Sequence, residues 1–89
     1  MAWKLIGLSG DEDTARMSAT ALMDKLGAAY RRADLPDGVE VYRCRPIAHP
    51  MAFLLSQEAY DLLTATGAGF SAVDRTEPPE PDIFTRVEL

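Results

Sequence analysis

The stretch PMAFLLSQEAYDLL, residues 50–63, changes its pattern at Ser56. The unbroken apolar run Met51–Leu55 predicts a short central strand that is buried on both faces. Ser56 is a favourable N-cap residue, and the residues after it have helical spacing. The positions expected to face inward are Ala59, Leu62, Leu63 and Thr66. The stretch therefore predicts a buried strand that runs directly into a helix.

A longer helix is predicted upstream, after a short strand in WKLIGL, residues 3–8. Its inner face is formed by residues at three- and four-residue steps: Ala15, Ala19, Leu22, Leu26, Ala29 and Ala33. Ser9 and Glu12 have the spacing of a capping box, which predicts the helix start. Pro36-Asp37-Gly38 is a turn signal, so the helix must end before it.

Two further segments alternate as strands do. VEVYRC, residues 39–44, is rich in strand-forming residues, and DIFTRVEL, residues 82–89, alternates well enough for an edge strand. The order is β-α-β-β-α with an optional final strand, so we expect an α+β fold in which a small antiparallel sheet carries its helices on one face. We assign residues 1–73 to a single domain and residues 74–89 to an acidic, proline-rich tail or an edge strand.

The chain has 89 residues and a formal net charge of −5, which a single small domain can accommodate. Residues 1–49 carry seven basic and seven acidic side chains, whereas residues 50–89 carry two and seven, so the excess of negative charge lies in the second half. No apolar run approaches the roughly 20 residues that span a bilayer. One cysteine cannot form an internal disulfide, which fits a cytoplasmic protein.

No catalytic constellation is visible in the sequence. GLSGD, residues 7–11, lacks the final glycine of a nucleophile elbow, and His49 is the only histidine. Cys44 is best interpreted as a small half-buried packing residue, because side chains of neighbouring strand residues point to opposite faces. We therefore predict a protein that is not an enzyme and needs no metal or cofactor. A small enzyme that uses His49 and Cys44 is the least favoured class.

Residues 50–63 also resemble the strand-to-helix segment of the Phd/YefM antitoxin family. In that family a proline precedes a short apolar strand that ends in serine, and the following helix begins with E-x-Y, which matches Glu58-Ala59-Tyr60. Thr14-Ala15-Arg16 is similar to the start of the family's first helix, and residues 39–43 are similar to its V-x-I-T-R strand.

The resemblance implies a homodimer that binds operator DNA with its N-terminal half and a basic protein toxin with its acidic C-terminal tail. Arg16 is carried over as a DNA contact, and the residues themselves suggest Arg43 and Arg45 as further contacts. The expected toxin-binding residues combine apolar and acidic side chains: Glu80, Asp82, Ile83, Phe84, Val87 and Glu88.

An alternative arrangement is a ferredoxin-like β-α-β-β-α-β domain in which DIFTRVEL completes the sheet. Such a protein would be a subunit, a ligand-binding module or an inhibitory partner without DNA binding.

Overall fold

The structure, a computed structural model, describes residues 2–8, 11–34, 36–44 and 52–89. The elements follow one another as strand β1 (Trp3–Gly7), helix α1 (Glu12–Arg32), strands β2 (Val41–Cys44) and β3 (Ala52–Ser56), helix α2 (Gln57–Ala65), and strands β4 (Val73–Arg75) and β5 (Phe84–Arg86). The α+β fold, the order β-α-β-β-α and the final C-terminal strand are thus confirmed.

The five strands form one antiparallel sheet in the order β4-β1-β3-β2-β5. Because β3 lies between β1 and β2 and is antiparallel to both, β1 and β2 are parallel to each other and are joined through α1. By the same reasoning β3 and β4 are parallel and are joined through α2. These two interleaved units are the split βαβ arrangement of ferredoxin-like folds. β5 is an addition beside β2.

The main core lies between the helices and one face of the sheet. Ile6, Phe53 and Leu55 project from the sheet into this core, and Leu22 and Leu26 project into it from α1. The inner face of α1 is predicted correctly up to Ala29, whereas Ala33 follows the helix and is exposed. From α2, Ala59 and Leu63 are buried.

Ser56 joins three elements at the point where β3 becomes α2. Its hydroxyl accepts hydrogen bonds from the backbone N–H of Ala59 at 3.2 Å and of Glu40 at 3.0 Å, and donates one to the carbonyl of Gly38 at 2.7 Å. The predicted N-cap is confirmed. The residue is fully buried. Its bonds to Glu40 and Gly38 also fix the chain where it enters β2.

The start of α1 differs from the prediction. Asp11, and not Ser9, is the N-cap, and its carboxylate accepts a hydrogen bond from the backbone N–H of Thr14 at 2.8 Å. This bond lowers the pKa of Asp11, because it stabilises the charged form. Aspartate caps as well as serine does, and its charge is favourable at a helix N-terminus. Ser9 lies outside the described residues.

β4 was not predicted from the sequence. It has only three residues and takes the fourth position of the ferredoxin-like order, where the alternative interpretation placed DIFTRVEL. Lys4 of β1 holds it by an ion pair with Asp74, which raises the pKa of Lys4 through the hydrogen bond to that carboxylate. β5 is attached at the other edge, where Arg86 pairs with Glu40 at 3.5 Å.

Candidate functional site

Residues 76–83, called the strap from here on, connect the two edges of the sheet. Four strand spacings separate β4 from β5, which is about 19 Å, and eight residues reach roughly 26 Å when extended. The strap therefore has to take a direct path. It crosses the face opposite the helices, because Arg75 lies on the same face as its partner Trp3 and bonds to residues of the strap.

Arg75 anchors the strap at its beginning. The Nη2 atom of its guanidinium donates to Glu80, and Nε donates to Glu77 at 3.3 Å. The pKa of Arg75 is raised, first by the hydrogen bond to Glu80 and also by the one to Glu77, against the opposing effect of desolvation. Nη1 is buried and has no hydrogen-bond partner within the described part of the chain. The guanidinium carbon lies 5.2 Å from the centre of the Phe84 ring, at cation–π distance.

Phe84, the first residue of β5, directly follows the strap. It is 8% exposed and packs in a second apolar cluster with Trp3, which is 4% exposed, and Leu54, which is fully buried. Tyr42 meets Trp3 edge to face, with ring centres 5.9 Å apart. Cys44 packs against this cluster and is half-buried, as the sequence predicts for a packing residue. The face that the helices leave open is thus covered in part by the strap and its own side chains.

The last turn of the strap presents one apolar side chain to solvent. The backbone N–H groups of Ile83 and Phe84 both donate to the carbonyl of Glu80, at 3.0 and 2.8 Å. The turn is therefore fixed, and Ile83 is 42% exposed on it. Asp82 beside it is exposed, and the side chain of Glu77 is 74% exposed. The turn thus presents an apolar side chain next in sequence to the exposed carboxylate of Asp82.

The six residues predicted to bind a protein partner divide into two groups. Phe84 is buried and Val87 packs against the main core, so both are engaged within the chain. The N–H of Val87 also donates to the carbonyl of Val41 at 2.8 Å. Glu80 bonds to Arg75 and its side chain remains 42% exposed. The three exposed members are Asp82, Ile83 and Glu88.

The structure does not bring the three predicted DNA contacts together in one surface of the described residues. Arg16 is exposed on α1, with Asp13 one turn before it on the same helix. Arg43 is half-buried on β2 and faces the helix side of the sheet, in the row of Phe53. Arg45 lies outside the described residues, as does His49. Carboxylates near Arg16 reduce the positive potential that phosphate contacts require.

The outer face of α1 carries a feature that sequence reasoning did not single out. An open groove of 640 Å³ is lined by Asp13, Arg16, Met17, Thr20, Ala21 and Asp24. Met17 is 73% exposed. Among the exposed large apolar side chains of the described residues, it has the highest exposed fraction. The helical spacing of these positions, opposite the predicted inner face, was the signal that could have found the groove.

Residues that could hold a metal ion do not come together in the described residues, since no group of three His, Cys, Asp or Glu side chains forms there. Within the same ranges, neither helix has the length and apolarity needed to cross a lipid bilayer. No protein-family model, curated protein or solved structure matches this chain.

Proposed function

We propose that this protein acts by binding a basic protein partner through the last turn of the strap, and that it has no catalytic role. The observation that carries the proposal is the position of Ile83, an exposed apolar side chain on a turn whose backbone is fixed by two hydrogen bonds. An apolar side chain on a fixed backbone can enter a pocket of a partner with little loss of backbone entropy. Such a residue is a suitable centre for a binding site.

The charges around Ile83 indicate the chemistry of the partner. Residues 74–89 contain five acidic residues, Asp74, Glu77, Glu80, Asp82 and Glu88, and two basic ones, Arg75 and Arg86. Both basic residues are paired with carboxylates of this chain, and Asp74 is paired with Lys4. Among the described residues of this segment, Asp82 and Glu88 are the carboxylates without an ion pair, so they supply the negative charge for a partner. A surface of this sign favours association with a basic partner and disfavours acidic ones.

A toxin neutralised by an antitoxin is one partner of this kind. Because residues 50–63 resemble the Phd/YefM family, the specific form of the proposal is an antitoxin that binds a toxin. This antitoxin would also bind operator DNA, through Arg16, Arg43 and Arg45. In this form the contact is made by the exposed Asp82, Ile83 and Glu88, because Phe84 and Val87 are already packed inside the protein.

A second candidate is a subunit or inhibitory protein of the ferredoxin-like type that binds a protein partner and no DNA. The strand order β4-β1-β3-β2 favours it. Fold alone does not decide function, so DNA binding has to be measured. At low salt, retarded migration of a fragment of the protein's own promoter, abolished by Arg16→Ala, supports the antitoxin. Unchanged migration at every concentration favours the second candidate.

The site is tested by capture of the partner from native extract with three tagged baits: the wild-type protein, Ile83→Asp and Val73→Asp. Val73 is the matched control, because it is an exposed apolar side chain on the opposite edge of the sheet. We expect the wild type and Val73→Asp to retain one basic protein that Ile83→Asp loses. Equal retention by Ile83→Asp, or a retained protein that is acidic, would contradict the proposal.

The dependence on charge is tested with the purified pair. Because exposed charges are screened by salt, the affinity should fall as ionic strength rises. Asp82→Lys should weaken binding further and Lys25→Glu, a charge change of the same size on α1, should not. An affinity that is insensitive to both salt and Asp82→Lys would show that charge does not select the partner.

A further inference from the structure

The strap contains three prolines close together, which are Pro78, Pro79 and Pro81. A proline ring fixes φ of its own residue, and it also disfavours the helical conformation in the residue before it. Because Glu77, Pro78 and Glu80 each precede a proline, this part of the strap is restricted to an extended conformation of the polyproline II type. The structure agrees, since residues 78–80 belong to no helix, strand or turn.

The exposure of the side chains in this segment follows the period of a polyproline II helix. That helix has about three residues per turn, so Pro78 and Pro81 lie along one edge of it, roughly 9 Å apart. Both residues are exposed. Pro79 and Glu80 between them are half-buried, and Glu80 bonds to Arg75 on the face of the sheet that the strap crosses. The strap thus turns one edge toward the sheet and presents Pro78 and Pro81 to solvent at the other.

The segment is held at both of its ends. On one side Arg75 donates hydrogen bonds to Glu77 and Glu80. On the other side, the backbone N–H of Ile83 donates to the carbonyl of Glu80 at 3.0 Å and closes a turn. Pro81 occupies the second position of this turn, where a fixed φ is favourable. A segment that is ordered in this way before binding loses little conformational entropy when a partner contacts it.

We propose that the protein partner recognises the strap with a groove lined by aromatic side chains, which holds Pro78 and Pro81 beside Ile83. Aromatic-lined grooves bind proline-rich segments well, because the extended conformation already exists before binding. The spacing of two prolines with two residues between them is the one that such grooves recognise. Because the groove holds the same turn, this recognition rests on the proposed function, and it adds the chemistry of the partner's binding surface.

The charge beside the prolines defines one end of the groove. Asp82 lies between Pro81 and Ile83, is exposed, and forms no ion pair with another described residue. Glu77, before the first proline, is paired with Arg75 at 3.3 Å. We therefore expect a basic side chain of the partner at the end of the groove that receives Asp82, which agrees with a basic partner.

The first test compares two full-length variants, Pro78→Ala and its matched control Pro79→Ala. Each substitution removes one proline ring and one restriction on the preceding residue, but only Pro78 is fully on the exposed edge. The protein that the wild-type bait retains is titrated with each variant by isothermal titration calorimetry, after circular dichroism has established that the variant is folded. We expect Pro78→Ala to weaken binding by about tenfold or more, and Pro79→Ala by less than about threefold.

The second test detects the aromatic rings of the partner directly. An aromatic ring that stacks on a proline moves the signals of the proline ring protons upfield through its ring current. In the full chain with isotope-labelled proline, the signals of Pro78 and Pro81 should move upfield when the retained protein is added, and those of Pro79 should not. Bound protein without an upfield shift at Pro78 and Pro81 would overturn the aromatic groove, whatever the affinities of the variants.

The two proposals fail in different ways. If Ile83→Asp loses the retained protein and Pro78→Ala binds it as the wild type does, the proposed function stands and the recognition of the prolines is refuted. Equal weakening by Pro78→Ala and Pro79→Ala would also refute it, because the stiffness of the strap and not its exposed edge would then determine the affinity. A wild-type bait that retains no protein would overturn both.

Discussion

The guanidinium carbon of Arg75 lies 5.2 Å from the centre of the Phe84 ring, although the two residues belong to strands at opposite edges of a five-stranded sheet. The contact is possible only because the strap crosses the sheet and because both side chains extend over the same face. Arg75 also bonds to Glu77 and Glu80 within the strap. One arginine therefore holds the beginning and the end of this segment together.

Arg75→Gln should loosen the strap without unfolding the domain. The substitution removes the charge that pairs with Glu77 and Glu80 and stacks on Phe84, whereas the main core on the other face is unchanged. Hydrogen exchange should become several-fold faster at the amides of Ile83, Phe84 and Val87 and stay the same in β3. Lys25→Gln, a neutralisation of an exposed charge on α1, should leave all these rates unchanged.

Phe84→Ala should destabilise the protein by about 3 kcal/mol, because it removes a buried ring and leaves a cavity beside Trp3. Trp3 is the only tryptophan, so its emission reports on this cluster directly and should shift to longer wavelength as water gains access. Ile83→Ala, one residue earlier and half exposed, should cost less than about 1 kcal/mol and leave the emission unchanged. Equal effects of the two variants would contradict the burial of Phe84.

Ser56→Ala should lower the free energy of unfolding by roughly 3 kcal/mol. It removes the N-cap of α2 and also leaves the N–H of Glu40 and the carbonyl of Gly38 without their partner. Urea denaturation measures the change. Ser71→Ala, an exposed serine in a loop, is the control and should change the stability by less than about 0.5 kcal/mol.

Gly27→Ala should raise the stability by about 1 kcal/mol, because Gly27 lies inside a helix and a Cβ would meet only the flexible side chain of Arg31. Urea denaturation measures the change. Gly38→Ala is the opposite case. Its φ is +79°, and a Cβ would lie 2.6 Å from Oε2 of Glu58. The left-handed backbone conformation alone costs an alanine about 1 kcal/mol or more, so this variant should lower the free energy of unfolding by at least about that amount.

Acid should weaken the N-cap of α1 through Asp11. The folded-state pKa of Asp11 lies below its ordinary value of 3.8, so the cap contributes its full stability above pH 3.8 and loses it as pH falls through the lower, folded pKa. Asp11→Asn caps the helix without a titrating group. The stability difference between wild type and variant should therefore decrease with acid, and a difference that does not vary below pH 4 would show that Asp11 does not act through its charge.

The elements that could be predicted from the sequence are those whose local pattern is strong. Met51–Leu55 is an unbroken apolar run before a capping serine, and α1 has a regular apolar face, so both emerge from spacing alone. β4 could not be predicted, because three residues are too few to show alternation and Val73 is exposed at the edge of the sheet. Its position depends on pairing with β1, which lies almost 70 residues earlier in the chain.

The candidate site was predicted by residue type more than by arrangement. The alternation of DIFTRVEL indicated an edge strand, but not that Phe84 would be buried beside Trp3 while Val87 packs against the main core. That outcome depends on which edge of the sheet β5 joins and on the side that the strap crosses. Neither is encoded in the local pattern, whereas the exposure of Ile83 and Asp82 follows once both are known.

The sheet ends on both sides in a strand of only three residues, while the strands between them have five, five and four. Short edges offer few free backbone groups to another chain, which is a common protection against aggregation. β5 contributes this protection on the side of β2, whose four residues would otherwise form the edge. The C-terminal residues thus leave a three-residue strand, and not the four residues of β2, open to strand addition at this edge.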